Sequence, residues 1–482
     1  MKIRSNPIYF SLLALSGFTI GCSVPRTTAV KQATALPQQY TAAMTDSLTA
    51  AHLTFKDFFG DPYLTALIKK VLEHNIENRI AGEQIKIAAA YLEARKAALL
   101  PSVTAGLRGS GTHYGKYTME GVGNFDTNLS SNIDRDQQIP TAVTPDYWLG
   151  LSTSWEIDLW GKLGSLQTAA RERFLATRQG KDLLSATLIT HTATLYYELV
   201  MLDKETAILD KNIELQKKAL EIIKIHKEVG RATELAVQQF AAQLANTRAT
   251  RYAVQQDITA TENKLLELTG AYTGTVPRST SMDIRSMYYL ARQGHPRQLL
   301  QYRPDIKAAY HELQASHADA RAARAAFFPS VNLSATAGLQ SFNITRILEP
   351  ASIASGLIAG LTAPVFQKRQ LTAQFKIAST GQEIAFLSYQ QTVNKAFQEV
   401  KTLLSYIDNN EKIITEKNKE VKALNKGVEV SNDLYLTAYA SYLEIIAAQK
   451  SKISADMDLL KAERDQAHAL IQLYKALGGG AG

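Results

Sequence analysis

Leu100-Pro101-Ser102-Val103-Thr104 returns 228 residues later as Phe328-Pro329-Ser330-Val331-Asn332, and this return decides the fold. Each copy follows an alanine-rich run of matching spacing, Ala94-Arg95-Lys96-Ala97-Ala98 and Ala322-Ala323-Arg324-Ala325-Ala326. Farther on, Val229-Gly230-Arg231-Ala232-Thr233-Glu234-Leu235 is answered by Thr437-Ala438-Tyr439-Ala440-Ser441-Tyr442-Leu443, and Leu268-Thr269-Gly270 by Ala476-Leu477-Gly478. A period of roughly two hundred residues is too long for a solenoid and marks one duplicated unit. Each unit reads as a helix, a proline-led strand hairpin and a long helical hairpin. Such a unit does not bury its own faces alone, which points to a ring or barrel built from several.

The segments behind the prolines alternate. Val331, Leu333, Ala335, Ala337 and Leu339 are apolar, whereas Ser330, Asn332, Ser334, Thr336 and Gln340 are polar, with Gly338 among them. A strict period of two over about ten residues is the pattern of a membrane-barrel strand, apolar to lipid and polar to the lumen. Val103, Ala105 and Leu107 alternate with Thr104, Gly106 and Arg108 in the same way. Return strands are expected over 147–157, where Leu149 and Leu151 alternate with Gly150 and Ser152, and over 353–365. Tyr147, Trp148, Trp155 and Trp160 are candidates for interfacial aromatics. A soluble sandwich hairpin would share this periodicity. The starts of the return strands are 206 residues apart, which makes the first hairpin loop about 22 residues longer than the second. The excess falls in 113–146, rich in Gly, Asn and Asp.

Prolines are absent between Pro145 and Pro277 and again after Pro364, as long helices require. Within the first stretch Leu195, Leu199, Leu202, Thr206, Leu209, Ile213, Gln216, Leu220, Ile223 and Lys227 step by four and three. Val400, Leu403, Ile407, Ile414, Val421, Leu424 and Val428 do so in the second. This is coiled-coil spacing. A helix from about Lys162 to about Val229 would be on the order of 100 Å long at 1.5 Å per residue.

The chain has 482 residues, 45% hydrophobic and 20% charged, with 53 Lys and Arg against 45 Asp and Glu. Its net charge of +8 is modest, and the basic residues are interleaved with acids rather than clustered, which argues against nucleic-acid binding. The one cysteine, Cys22, follows a basic start (Lys2, Arg4), a short apolar run from Ile8 to Ile20, and Gly21. That is a secretory signal over 1–21, too short to span a membrane. A cysteine directly behind the cleavage site resembles a bacterial lipoprotein acceptor. No later run reaches about twenty apolar residues, so any membrane crossing must be a closed barrel. Barrels need at least about eight strands. Four per chain require that several copies share the wall.

Catalytic signatures are poor. His311-Glu312 is followed by Ala315, with the next histidine at His317, so the H-E-x-x-H zinc spacing is absent. Gly109-Ser110-Gly111 and Gly121-Val122-Gly123 lack the strand-to-helix setting of a phosphate loop. The chain reads as a non-enzyme without a cofactor.

Several short pieces carry a resemblance by their order and spacing. They are Asp61-Pro62-Tyr63-Leu64 with Leu67-Ile68 and Asn75, Leu100-Pro101-Ser102, and Trp155-Glu156-Ile157-Asp158-Leu159-Trp160-Gly161-Lys162. Arg303-Pro304-Asp305, Ala363-Pro364-Val365-Phe366, Ala440-Ser441-Tyr442-Leu443-Glu444 and Ala448-Gln449 follow. Together they resemble the outer-membrane efflux factors, the TolC-like family, especially its lipoprotein branch, over nearly all of the mature chain. The resemblance implies a mainly α fold with a membrane β-barrel. A homotrimer would form a 12-stranded barrel, four strands per protomer, on a long periplasmic α-helical barrel. It implies the exit duct of a tripartite efflux system in the outer membrane, lipid-anchored at Cys22. Small molecules would be delivered by an inner-membrane pump through a periplasmic adaptor. A duct for polypeptide secretion, or a lipid-anchored coiled-coil scaffold without a pore, are the alternatives.

On this reading the chain divides into a signal peptide (1–21) and an anchored equatorial segment with the first helices (22–100). A first barrel hairpin (101–160) and helical hairpin (161–275) precede a linker and helix (276–328). A second barrel hairpin (329–365) and helical hairpin (366–482) complete it. The resemblance puts adaptor contact at two tip turns, Gly230, Arg231, Ala232 and Thr233 in one and Tyr439, Ala440, Ser441 and Tyr442 in the other. Gly230 can end a helix in the left-handed conformation, and Ser441-Tyr442-Leu443-Glu444 fits a capping box. The family's constricting Tyr and Arg fall on Tyr435 and Lys450, with Ala447 where an Asp is usual.

Overall fold

The computed structural model describes residues 37, 53–280, 283–291, 298–367, 369–437 and 439–480. The signal segment 1–21 and Cys22 lie outside the described residues. Two short helices, α1 (Phe55–Phe59) and α2 (Pro62–His74), come first, and then element lengths repeat with the sequence. α3 (Ile76–Ala97) and α9 (Pro304–Ala325) have 22 residues each, and α5 (Lys162–Glu228) and α10 (Gln370–Leu436) have 67. α6 (Glu234–Leu268) and α11 (Tyr442–Ala476) have 35. Ile76 and Pro304 stand 228 residues apart but Lys162 and Gln370 stand 208 apart, so the first hairpin carries 20 extra residues rather than 22. The expected start of the first return strand at Tyr147 lies three residues inside the observed strand, which begins at Thr144, and this inflated the count.

The chain forms two compact units. One holds residues 88–173 and 313–384. Its centre is an antiparallel sheet of β1 (Ser102–Thr112), β2 (Thr144–Ile157), β3 (Ser330–Ser341) and β4 (Ile353–Thr362), in the order β1-β2-β3-β4. The last strand stops short of the expected Val365, because Pro364 has no N–H to continue a ladder. The long loop between β1 and β2 carries its own helix, α4 (Met119–Thr127). At the start of α5, Asp158 accepts from the N–H groups of Leu163 (3.0 Å) and Gly164 (2.7 Å), satisfying two of the donors a helix start leaves open. Gly161 precedes α5 at φ 71°, and its repeat counterpart Arg369 precedes α10 at φ 63°.

The other unit holds residues 53–87, 174–312 and 385–480. α7 (Ile284–Ala291) and α8 (Gln298–Tyr302) lie within it. Phe58 stacks on Tyr474 at 4.3 Å, amid a core that includes Leu64, Ile68, Tyr196, Tyr197, Val400 and Leu470. Asp61 caps α2 through the N–H groups of Tyr63 (2.9 Å) and Leu64 (3.2 Å) and accepts from the Tyr196 hydroxyl (2.9 Å). Burial pushes the Tyr196 phenol up to about 12. The heptad seam is buried at Leu199, Leu202, Leu209, Ile213, Gln216 and Ile223. Helices this long are stabilised by such tertiary packing far more than by propensity.

The barrel wall and the hairpin tips as candidate functional site

The strand register sorts side chains onto two faces. Leu107, Leu149, Leu339 and Ile353 lie opposite one another across all four strands, and so, in part-rows, do Ala105, Leu151 and Ala337, then Ile157, Val331 and Leu361. The other face carries Thr104, Ser152, Thr336 and Gly356 in one row and Arg108, Trp148 and Gln340 in another. An apolar face over strands of 10 to 14 residues matches the 9–11 residues that cross a bilayer as a tilted strand. β1 and β4 each have one unpaired edge, which hydrocarbon does not tolerate.

Trp148 departs from the expectation of an interfacial aromatic. It shares parity with Gly150 and Ser152, and therefore lies on the polar face. A Cβ on Gly106 would meet its ring at 3.4 Å and one on Gly150 at 3.0 Å, so the indole covers glycine backbone. Gly150 and Gly338 face each other so closely that a Cβ on either would stand 2.6 Å from the other's Cα. Trp155 and Trp160 each tie down one copy of the repeated Leu/Phe-Pro-Ser junction. Trp155 donates to the Leu99 carbonyl (2.9 Å), and Trp160 donates to that of Pro329 (2.7 Å) while stacking on Phe328 at 4.8 Å.

The helical tips are built from both halves of the chain. Ile223, Ala236, Val237, Phe240 and Ile445 form a buried cluster, with Ala232, Tyr435 and Tyr442 packed against it. Gly230 ends α5 at φ 71°, its N–H donating to the Lys227 carbonyl (3.0 Å) and that of Arg231 to His226 (2.7 Å). These are the two bonds of a Schellman stop. The second turn repeats the longer one, from Tyr439 N–H to the Leu434 carbonyl (2.8 Å), while Ala438, where Gly230 has its counterpart, lies outside the described residues. Thr233 caps α6 by accepting from Ala236 N–H (3.2 Å). Ser441 and Glu444 form the capping box of α11. Arg231, Thr233, Tyr439 and Ser441 are exposed, Tyr439 to 86%. Beside them Val229, Leu235 and Leu443 also face solvent.

Tyr435 is half-buried in the tip cluster. Its ring stacks on His226 (5.7 Å between centroids, 20° between planes), and its hydroxyl lies 3.0 Å from His226 Nδ1. Burial raises the Tyr435 phenol. Lys450 is exposed, and among the described residues it makes no ion pair. The structure thus joins Tyr435 to the first tip turn through His226, whereas Lys450 makes no hydrogen bond to that turn among the described residues. Among the described residues no helix is long and apolar enough to cross a membrane, and no group of His, Cys, Asp or Glu is placed to hold a metal ion.

The family model for outer membrane efflux proteins matches residues 67–271 and 295–479, one match to each half of the duplication. The chain belongs to the outer membrane efflux protein family. This efflux protein is 28% identical to the solvent efflux pump outer membrane protein SrpC of Pseudomonas putida, over 100% of this chain and 99% of that one. It is 26% identical to the cation efflux system protein CusC of Escherichia coli K12, over 97% of each. A crystal structure of CusC superposes with a TM-score of 0.82 at 25% identity, covering 94% of this chain and 99% of that chain. The efflux protein is thus an outer-membrane channel of mainly α fold with a membrane β-barrel, extending into the periplasm.

The strand alternation, the tip turns and the cap of α11 were readable in the sequence of this efflux protein. Sequence reasoning missed two features. The parity of Trp148 with Gly150 and Ser152 would have placed it on the polar face. Asn410 falls on the seam position between Ile407 and Ile414, where a search for apolar residues passes over it. It is buried, donating to the Ala462 carbonyl (2.8 Å) and to Gln466 (3.0 Å).

Proposed function

We propose that three copies of this chain close a twelve-stranded barrel and form the exit duct of a tripartite efflux system. A periplasmic adaptor would join this duct to an inner-membrane pump. The observation that carries the reading is the four-stranded sheet with one apolar face, one polar face and two unpaired edges. Pairing β1 of each copy with β4 of the next leaves no edge, turns the apolar face to lipid and wets the polar face. The duct is passive and carries no catalysis, the driving force coming from the pump. Relatives named for solvents and cations support small-molecule cargo over polypeptide.

Within this reading the chain keeps the division into two barrel hairpins (101–160 and 329–365) and two helical hairpins (161–275 and 366–482). Cys22 carries the lipid anchor. The turn residues Gly230, Arg231, Ala232, Thr233, Tyr439, Ala440, Ser441 and Tyr442 receive the adaptor. Tyr435 and Lys450 belong to the aperture. The test is native mass and conductance together. A detergent-solubilised trimer that conducts in a planar bilayer is expected, and a monomer with a complete barrel refutes the architecture.

A further inference from the structure

Helix α4, in the long loop between β1 and β2, is turned the wrong way round for a helix packed on its own protein. Gly121, Asn124 and Asn128 face inward and are half-buried. Met119, Val122, Phe125 and Leu129 face outward, Met119 to 89%, Phe125 to 61% and Leu129 to 70%. The orientation is pinned by polar contacts. Asn128 exchanges two hydrogen bonds with the Ile139 backbone (2.8 and 2.7 Å), and Asn124 donates to the Thr144 hydroxyl (3.4 Å). A Cβ on Gly121 would stand 2.2 Å from the Gly115 carbonyl oxygen, so α4 lies hard against its own loop. Asp136 pairs with Arg346 at 2.8 Å, which ties this loop to the loop between β3 and β4. An apolar helix face held out by such contacts is built for burial elsewhere.

The side of the sheet on which α4 sits selects the occupant. Thr144 shares parity with Asp146, Trp148 and Gly150, and so lies on the polar face. A cavity of about 500 Å³ opens there, where Glu120 and Asn124 of α4 meet Asp146 and Gln340 of that same face, with Pro145 and Ile353 of the opposite parity at its rim. The helix therefore stands over the lumen side, with lipid on the opposite side of the sheet. Its loop leaves β1, the strand whose free edge must pair with another copy.

We propose that the apolar face of α4 is a contact between copies of this chain. The α4 segments of the three protomers meet over the lumen and narrow the extracellular mouth. This rests on the trimeric duct proposed above.

The test uses the full chain, whose only natural cysteine is Cys22. Phe125→Cys and, as a control on the inward side, Asn124→Cys are purified, reconstituted and oxidised with copper phenanthroline. A disulfide-linked dimer on a non-reducing gel is expected for Phe125→Cys and not for Asn124→Cys or the parent chain. Met119→Ser combined with Phe125→Ser is expected to keep the native trimer mass and to raise single-channel conductance. A conducting trimer in which Phe125→Cys does not cross-link overturns the proposal. So does one in which a bimane label at that cysteine is quenched by brominated lipid, which would give the face to the outer leaflet. Both results leave the duct reading standing. Absence of a trimer, or of any conductance, overturns the duct reading and this proposal with it.

Discussion

At the residue scale, Arg303 is the one buried basic side chain among the described residues. Its guanidinium takes the Asp305 carboxylate in a two-pronged grip (3.0 and 2.8 Å), and also Glu399 (2.8 Å) and the Ala476 carbonyl (2.9 Å). Removing it leaves two partly exposed carboxylates, Asp305 and Glu399, without the guanidinium that pairs with both. Breaking a buried pair costs about 3–5 kcal/mol, and the 41% exposure of the Glu399 side chain puts Arg303→Ala at the lower end. Thermal melts followed by circular dichroism should show that loss, with Arg303→Lys between the two because an ammonium cannot reproduce the fork. With Tyr435 at the aperture, as proposed, a different question arises, whether that aperture is held by packing or by charge. An exposed ion pair is worth about 0–1 kcal/mol, whereas truncating a core aromatic costs roughly 3–5 kcal/mol, an upper bound for the half-buried Tyr435. Tyr435→Ala is therefore expected to raise single-channel conductance and sensitise cells to large antibiotics, and Lys450→Ala to do less. Tyr435→Phe keeps the stack and drops the hydroxyl contact to His226. A large rise from Lys450→Ala with none from Tyr435→Ala would point to an electrostatic lock.

At the element scale, the two halves agree in length and differ where backbone conformation is demanding. α5 and α10 both begin after a left-handed residue, but the first half uses Gly161 and the second Arg369. A side chain in that region costs about 1–2 kcal/mol relative to an easy conformation. Arg369→Gly should lower that strain, and a modest rise in the unfolding midpoint would show it. The sheet is less forgiving. A Cβ on Gly338 would fall 2.4 Å from the Leu149 carbonyl oxygen and 2.6 Å from the Gly150 Cα, so β2 and β3 could not keep their spacing. Gly338→Ala is expected to reduce heat-modifiable, membrane-inserted protein on gels, while Gly360→Ala, whose nearest neighbour is 4.0 Å away, should be tolerated. Asn410 plays the opposite part in the helical seam. A buried, satisfied polar residue at a seam position sets register at some cost in stability.

At the scale of the whole molecule, the proposed reading puts two kinds of membrane attachment in play, a barrel and an acyl anchor on Cys22. Mass spectrometry of the mature amino terminus should find a lipidated cysteine, and an unmodified terminus or one starting elsewhere sinks the anchor. An acyl chain contributes about 0.8 kcal/mol per buried methylene, and a single chain gives only marginal binding. The barrel therefore bears most of the attachment, and Cys22→Ala should leave correctly inserted trimer in the outer-membrane fraction.

The sequence by itself determined whatever depends on local spacing. Duplication, the 67-residue helices, the two strand hairpins, the Gly230 stop and the Ser441 cap all follow from periods of two and 3.6 and from residues with special backbone freedom. The tertiary structure decided what depends on pairing between distant segments. β2 joins β3 across the two halves, placing Gly150 against Gly338, and no period in either strand names its neighbour. Arg303 reaches Glu399 and Ala476 only because α9, α10 and α11 pack together. α4 turns its apolar side outward because Asn124 and Asn128 hydrogen-bond to Thr144 and Ile139, partners that composition alone does not reveal. Local patterns report which face a residue is on. Which surface that face meets is set by long-range packing, whose energy is not written in any one segment.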